Sequence, residues 1–403
     1  MSAHAPHNAM DYKRLSLISL GHLSCDINAH ALPALLPYLA AAYGFDYKTC
    51  GLLAFAYAAV SSIVQPVLGL LADKLSRGWF IPLGILMAGV GFGLTGYLDT
   101  APAIFLALML GGVGGAVFHP EGARYANIVS GEKKGVGLSI FSVGGNGGMV
   151  MGPLLVMFAV AGFPVGGFTI GGFGLGGTAL FAIIGIAMSS VLFFRIRAWN
   201  IAARKAGKKD AAPVAENDWR AFGVLSGCLL TRAGIAVALT TYLPMYWQGV
   251  FGASAEQGNI VLVLFCLFGV ASNLSGGAAA DRWGYSTVVR FCSMLCLPCI
   301  AAFPFVSSQY VAAALLAPIA VGLFAPFSSM VVLGQRYLAK NVGFASGITL
   351  GLAFSLGGMF APFLGFMADL WGGLGPAMHL FTPLAVVCVA FAWFLKEPER
   401  LSA

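Results

Sequence analysis

Few residues in this chain can do chemistry, and the way they are spaced is specific. His22, Asp26 and His30 are separated by i, i+4 and i+8 within one long apolar run, so on a helix they share a single stripe. A carboxylate flanked by two imidazoles can hold and release a proton. A hydrogen-bonded cluster tying helices together is the alternative reading of the same stripe. His119, Glu121 and Arg124 form a second group around Pro120. Glu121 and Arg124 are i, i+3 and can pair, and Pro120 removes a backbone donor and can kink a helix there. His119 points roughly away from Glu121 on an ideal helix. Asp26 and Glu121, aided by His22 and His119, are the expected proton carriers.

Arg232 stands alone in Leu229-Leu230-Thr231-Arg232-Ala233-Gly234. A cation in an apolar run needs an acid or an anionic ligand. Two partners are open: Asp26, or a substrate carrying a phosphate, phosphonate or carboxylate. Tyr242, Tyr246 and Trp247 follow around Pro244. The residues expected to line a substrate path are Arg232, His30, Gln65, Arg124, Asn146, Tyr242 and Tyr246. Trp247 has a second reading as an interfacial anchor.

The elements that position these residues are membrane helices. The chain is 59% hydrophobic and 9% charged, with a mean hydropathy of +0.87. A bilayer span takes roughly 20 apolar residues. Twelve such runs cover 15–43, 48–73, 79–98, 101–127, 135–163, 172–197, 219–250, 255–280, 286–306, 309–336, 341–370 and 374–396. That leaves no room for a sizeable soluble domain. The fold class is therefore an all-α membrane protein, with twelve transmembrane helices in two pseudo-symmetric six-helix bundles. The first bundle is 1–197, the linker 198–218 and the second bundle 219–403. The linker carries the basic pairs Arg204-Lys205 and Lys208-Lys209.

The net charge of +7 is a topology signal, and no nucleic acid is expected. Lys13, Arg14, Lys74, Arg77, Lys133, Lys134, Lys340, Lys396 and the linker bases fall at alternate connections or at the termini. Bases accumulate on the cytoplasmic side, which puts both termini and the linker there. Residues 1–12 are polar, and no small-residue cleavage pattern follows the first apolar run, so that run reads as a retained span. Seven of the eight cysteines lie well inside predicted spans and Cys50 at the edge of one, so no disulfide framework is implied. Cys296-Leu297-Pro298-Cys299 sits inside an apolar helix and reads as small buried hydrophobes.

The chain repeats itself. Gly69-Leu70-Leu71-Ala72-Asp73-Lys74 is echoed by Gly277-Ala278-Ala279-Ala280-Asp281-Arg282, and Gly148-Met149-Val150-Met151-Gly152-Pro153 by Gly357-Gly358-Met359-Phe360-Ala361-Pro362, at offsets of 208 and 209 residues. Parallel repeats of six spans are one transporter architecture. Among 54 glycines, those in spans 4 and 5 mark close helix pairs. Gly172–Gly177 formally contains GxGxxG, but no strand precedes it, so no nucleotide site is expected.

The phrase at 69–77 resembles the loop 2–3 signature of the major facilitator superfamily, with Ser76 in place of a second glycine. The resemblance implies gating roles for Asp73, Lys74 and Arg77, and by repeat for Asp281 and Arg282. Gly148, Gly152 and Pro153 resemble the span 5 signature associated with antiporters of that superfamily. Three longer phrases resemble its fosmidomycin-resistance branch: Ser61-Ser62-Ile63-Val64-Gln65-Pro66, Phe118-His119-Pro120-Glu121-Gly122-Ala123-Arg124 and Ser139-Ile140-Phe141-Ser142-Val143-Gly144-Gly145-Asn146. The resemblance implies a bacterial inner-membrane proton antiporter that expels small molecules, a phosphonate antibiotic among them.

The expectation is a proton-coupled exporter of a small anionic organic molecule, working by alternating access. The alternative is a proton symporter importing an organic or inorganic anion. No enzyme is expected: His119-Pro120-Glu121 lacks the two-histidine spacing of a zinc helix, and no nucleophile–base set appears. No metal or cofactor is expected beyond the proton gradient. The expected partners are substrate, protons and the lipid bilayer, with a monomer as the working unit.

Overall fold

The computed structural model describes residues 10–60, 78–131, 133–199, 216–349 and 357–397. Gln65, Asp73, Lys74 and Arg77, with the phrases at 61–66 and 69–77, lie outside the described residues, as does most of the linker.

Helices dominate. They are α1 (Tyr12–Tyr43), α2 (47–60), α3 (Phe80–Leu94), α4 (Ala101–Val129), α5 (Lys134–Val156), α6 (Ala179–Trp199), α7 (Trp219–Phe251), α8 (Ala255–Trp283), α9 (Tyr285–Ala302), α10 (Gln309–Phe324), α11 (Phe327–Tyr337), α12 (Val342–Gly347), α13 (Phe360–Trp371), α14 (Leu374–Ala377) and α15 (Phe381–Trp393). Among the described residues, nine helical segments are long and apolar enough to cross a membrane. In lipid, a helix satisfies every backbone polar group within itself, so a chain this apolar folds as spans. The protein is a multi-pass, helical membrane protein, with one small hairpin among the described residues.

That hairpin departs from the expected spans. The predicted fifth span ran to residue 163. Instead α5 passes into a π-turn over Met157–Ala161, and β1 (Phe163–Val165) pairs antiparallel with β2 (Phe168–Ile170). Gly166 and Gly167, at φ 56° and 88°, form the two-residue turn, which requires positive φ at both positions. The predicted tenth span, 309–336, is one membrane-length segment, Gln309–Tyr337, with a break in its helical ladder. α10 ends at Phe324, and Pro326 precedes α11, since proline offers no backbone N–H to continue the ladder.

The chain folds into two compact units. One takes Met1–Leu35 with Ala56–Arg204; the other takes Leu36–Phe55 with Lys205–Ala403. The core of the first is built on Leu15, Ile18, Ile81, Ile85, Phe118 and Phe141. Within it, α3 approaches its neighbours along glycines. A Cβ on Gly91 would lie 2.5 Å from the Gly111 nitrogen, and one on Gly89 2.8 Å from the Gly185 Cα. Such seams give helix association in lipid its packing energy. The core of the second unit is built on Phe222, Leu225, Leu229, Val289, Met330 and Leu333. All eight cysteines are free.

Candidate functional site

The first unit gathers three of the predicted residues into one cluster. His22 and Asp26 stand one turn apart on α1, with His22 Nε2 3.2 Å from Asp26 Oδ2. His119 comes from α4, its Nε2 3.0 Å from Asp26 Oδ1. Each imidazole turns its other nitrogen to a backbone carbonyl. His22 Nδ1 lies 2.9 Å from the Phe141 oxygen on α5, and His119 Nδ1 lies 2.7 Å from the Gly115 oxygen. A carbonyl only accepts, so both Nδ1 atoms carry a proton and both Nε2 atoms face the carboxylate. The His22 ring stacks on Phe141 at 4.1 Å, which fixes its plane.

Helix α5 closes one wall of the cluster through its glycines. A Cβ on Gly145 would lie 2.6 Å from His22 Cε1 and 3.0 Å from Asp26 Oδ2, and one on Gly148 2.8 Å from Asp26 Cβ. One on Gly152 would meet the Ile27 oxygen at 2.6 Å. Ser19 Oγ adds a bond to the Ile140 oxygen at 2.7 Å. The glycine stripe of α5 thus lies directly on the ionisable stripe of α1. The open side is at His119, whose side chain is 30% exposed against 11% for His22 and 16% for Asp26.

The electrostatics follow from counting protons. Each Nε2···O contact is a hydrogen bond only if one proton sits in it; without one, two lone pairs face each other. With both contacts filled, two imidazoliums and a carboxylate carry net +1. Losing one proton brings the cluster to neutrality, and losing the second to −1. Each loss converts an attraction into a repulsion, and at the His119–Asp26 contact that repulsion acts between α4 and α1.

The other predicted residues are not part of it. His30 is half-buried one turn beyond Asp26 and, among the described residues, makes no hydrogen bond to the cluster. Glu121 is buried and its Oε2 accepts from Arg124 Nη2 at 2.8 Å and Nε at 3.1 Å. Asn146 is half-buried on α5. Pro153 lies inside α5.

In the second unit Arg232 is 3% exposed. Its Nη1 donates to the Leu323 carbonyl, and its guanidinium lies 5.7 Å from the Phe327 ring centre. It lines a small recess with Ile235, Ser293, Cys296, Gly322, Leu323 and Cys388. Tyr242 is fully buried, its hydroxyl 2.8 Å from both the Tyr47 and Ala361 carbonyls. Tyr246 stacks on Phe303 at 5.0 Å. Trp247, at 2% exposure, belongs to the same aromatic group and is not an interfacial anchor. Asp281 and Arg282 are exposed at the end of α8, where Asp281 Oδ1 accepts from the Tyr285 hydroxyl at 3.0 Å.

Two carboxylates in the second unit were not anticipated from the sequence. Asp369 accepts from the backbone N–H groups of Tyr47 and Lys48 at 3.0 and 2.8 Å, capping α2. Glu397 accepts from those of Tyr285 and Ser286 at 3.0 and 2.7 Å, capping α9. Their only signal in sequence is an acid near a span end, and the helix each serves lies more than 100 residues away.

The family model described as Major Facilitator Superfamily matches residues 18–362. The uncharacterized MFS-type transporter YfnC of Bacillus subtilis is 30% identical over 401 residues, covering 97% of this chain and 94% of that protein. The fosmidomycin resistance protein of Escherichia coli is 30% identical over 361 residues, covering 88% and 86%. Among solved structures, a bacterial homolog of the human lysosomal transporter Spinster, inward-facing and unoccupied, superposes with a TM-score of 0.76 at 14% identity, covering 98% of each chain. The nucleoside transporter NupG does so at 0.71 and 16%, covering 95% of this chain and 98% of that one. At such identities the structural likeness speaks to the fold alone.

Proposed function

The chain belongs to the Major Facilitator Superfamily, and on that premise we propose that it is a proton-coupled exporter of a small anionic organic molecule. The observation that carries the coupling is the His22–Asp26–His119 cluster, whose two contacts each need a proton that can leave. A coupled transporter must have two states that differ in their affinity for the driving ion. Here proton loss turns the Asp26–His119 attraction between α1 and α4 into repulsion, which gives the two states that difference. Glu121 is the second carrier: it takes a proton when its pair with Arg124 opens.

The fold reading is twelve spans in two pseudo-symmetric bundles, 1–197 and 219–403. The mechanism is alternating access, and one chain suffices for a pathway. Basic residues at alternate connections support an inner-membrane protein with both termini cytoplasmic. Arg232 and Arg124 supply positive charge at depth, which favours a carboxylate or phosphonate. The 30% identity to a protein named for fosmidomycin resistance supports export and a phosphonate among the substrates.

The test uses proteoliposomes holding a trapped pH dye, with a proton gradient imposed before phosphonates and other small organic anions are added. Proton movement opposite to substrate, lost in Asp26→Asn and Glu121→Gln, is the expected result. Movement in the same direction makes the protein an importer. Gradient-driven accumulation that survives Asp26→Asn removes the cluster from the coupling mechanism.

A further inference from the structure

The donor atoms of the cluster have a second chemistry. His22 Nε2, His119 Nε2 and an Asp26 oxygen lie within 4.8 Å of one another. Two imidazoles and one carboxylate are a ligand set for a borderline divalent ion, and three protein ligands with one open position is the pattern of an accessible zinc site. Here the ligands come with their supports. A metal-bound histidine typically donates its remaining N–H to a carbonyl or carboxylate, which fixes the tautomer that presents the lone pair. Both histidines do this, His22 to the Phe141 oxygen and His119 to the Gly115 oxygen. The Phe141 stack holds the His22 plane, and the α5 glycines leave the space that His22 and the Asp26 carboxylate occupy side by side.

We propose that His22, Asp26 and His119 form a binding site for a zinc-class divalent ion. Tetrahedral Zn–N bonds bring the two nitrogens to about 3.3 Å from one another, so His119, the most exposed of the three, closes inward. Its exposed side is the entry path and leaves the fourth position for water or an anion. Hard ions such as Mg²⁺ and Ca²⁺ demand oxygen ligands and are excluded by the two nitrogens. A bound ion uses the same three lone pairs that take protons and ties α1 to α4, so zinc inhibits transport. The site rests on the geometry of the cluster and holds for either direction of transport.

The experiment titrates the purified, untagged full-length protein in detergent with Zn²⁺ by calorimetry, and with Co²⁺ as an optical probe. One ion per chain and a visible Co²⁺ band of low coordination number are expected. His22→Gln and His119→Gln should each weaken binding at least tenfold, and His119→Cys, which restores a zinc ligand, should recover it. His379→Ala and the double variant His4→Ala/His7→Ala should bind as wild type does, which separates this site from the remaining surface and N-terminal histidines. The rise in thermal midpoint that zinc produces should vanish in the two glutamine variants, whose midpoints without metal establish that they fold. Absence of Zn²⁺ uptake by the wild type overturns the proposal, and so does uptake of unchanged affinity in both glutamine variants. Because binding is read without transport, it stands or falls separately from the proton-coupling reading.

Discussion

The Asp26 cluster of the first unit and Arg232 of the second hold buried charge by opposite means. In the first, Asp26 is met by two imidazoles, and each contact exists only while a proton occupies it. In the second, Arg232 meets the Leu323 carbonyl and the Phe327 ring in a recess lined by Ser293, Cys296 and Cys388. A guanidinium keeps its charge at any working pH. The Asp26 cluster thus holds charge that can exchange, and Arg232 charge that is fixed. The proposed proton-driven transport of an anion needs both. The exchanging group takes up the driving ion, and a fixed cation gives an anion a constant place to bind. Each kind of charge demands its own packing, and that is where the contrast can be tested.

The largest effect should come from glycine-to-alanine changes compared across the units. A Cβ at Gly148 falls 2.8 Å from Asp26 Cβ and 2.9 Å from the Asp26 backbone carbon. The atoms it meets cannot swing aside, so α5 must move off α1. Gly148→Ala should reduce coupled transport at least tenfold and destabilise by about 1–3 kcal/mol, the range for overpacking. A Cβ at Gly277 meets nothing within 4 Å. Gly277→Ala should leave transport intact and stabilise by up to about 1 kcal/mol through helix propensity. Transport assays and thermal midpoints measure both. Equal effects at the two positions would break the claim that the cluster depends on helix proximity.

A smaller, sharper difference should appear in pH dependence. His119→Gln keeps a donor beside Asp26 but cannot take up a proton. Coupled transport should fall several-fold, and the profile between about pH 5 and 8, where imidazoles exchange protons, should flatten. Arg232→Lys keeps a charge and loses the planar fork of donors. Its KM should rise about tenfold while the shape of the pH profile stays that of the wild type. If Arg232→Lys changes the profile and His119→Gln does not, the assignment of exchanging and fixed charge to the two units is reversed.

Much of this was legible in the sequence. The i, i+4 spacing of His22 and Asp26 placed both on one stripe, and low charge with long apolar runs required spans. His119 was legible as a candidate, but its contact with Asp26 was not, because 93 residues separate them and helix packing alone brings them together. The acceptors that fix both tautomers, the Phe141 and Gly115 carbonyls, are backbone atoms, and every residue has one. The Gly166-Gly167 pair between apolar triplets is a hairpin signal, masked by the hydropathy of its flanks. Tyr242 and Tyr246 had the composition of a ligand wall, yet one bonds to backbone carbonyls and the other stacks in an aromatic core. Side-chain type cannot tell these uses apart.

The smallest effects concern two carboxylates of the second unit, Asp46 and Asp369, which cap the start of α2. Asp46 Oδ1 accepts from the Thr49 N–H at 2.8 Å at the start of α2, while Asp369 takes the Tyr47 and Lys48 N–H groups. Both are exposed, so water replaces much of what either loses, and Asp46→Ala or Asp369→Ala should cost at most about 1 kcal/mol. The Thr49 side chain, with its backbone N–H, holds the Asp46 carboxyl below its ordinary value of 3.8. A carboxyl depressed in the folded state stabilises above its unfolded pKa, and that stabilisation is lost as pH falls through the folded pKa. The difference in thermal midpoint between wild type and Asp46→Ala should therefore be constant near neutrality and shrink only as pH drops below about 4. The pH profile of transport should be the same in both proteins. A cap variant that alters this profile would place exchanging charge in the second unit and undo the contrast with Arg232.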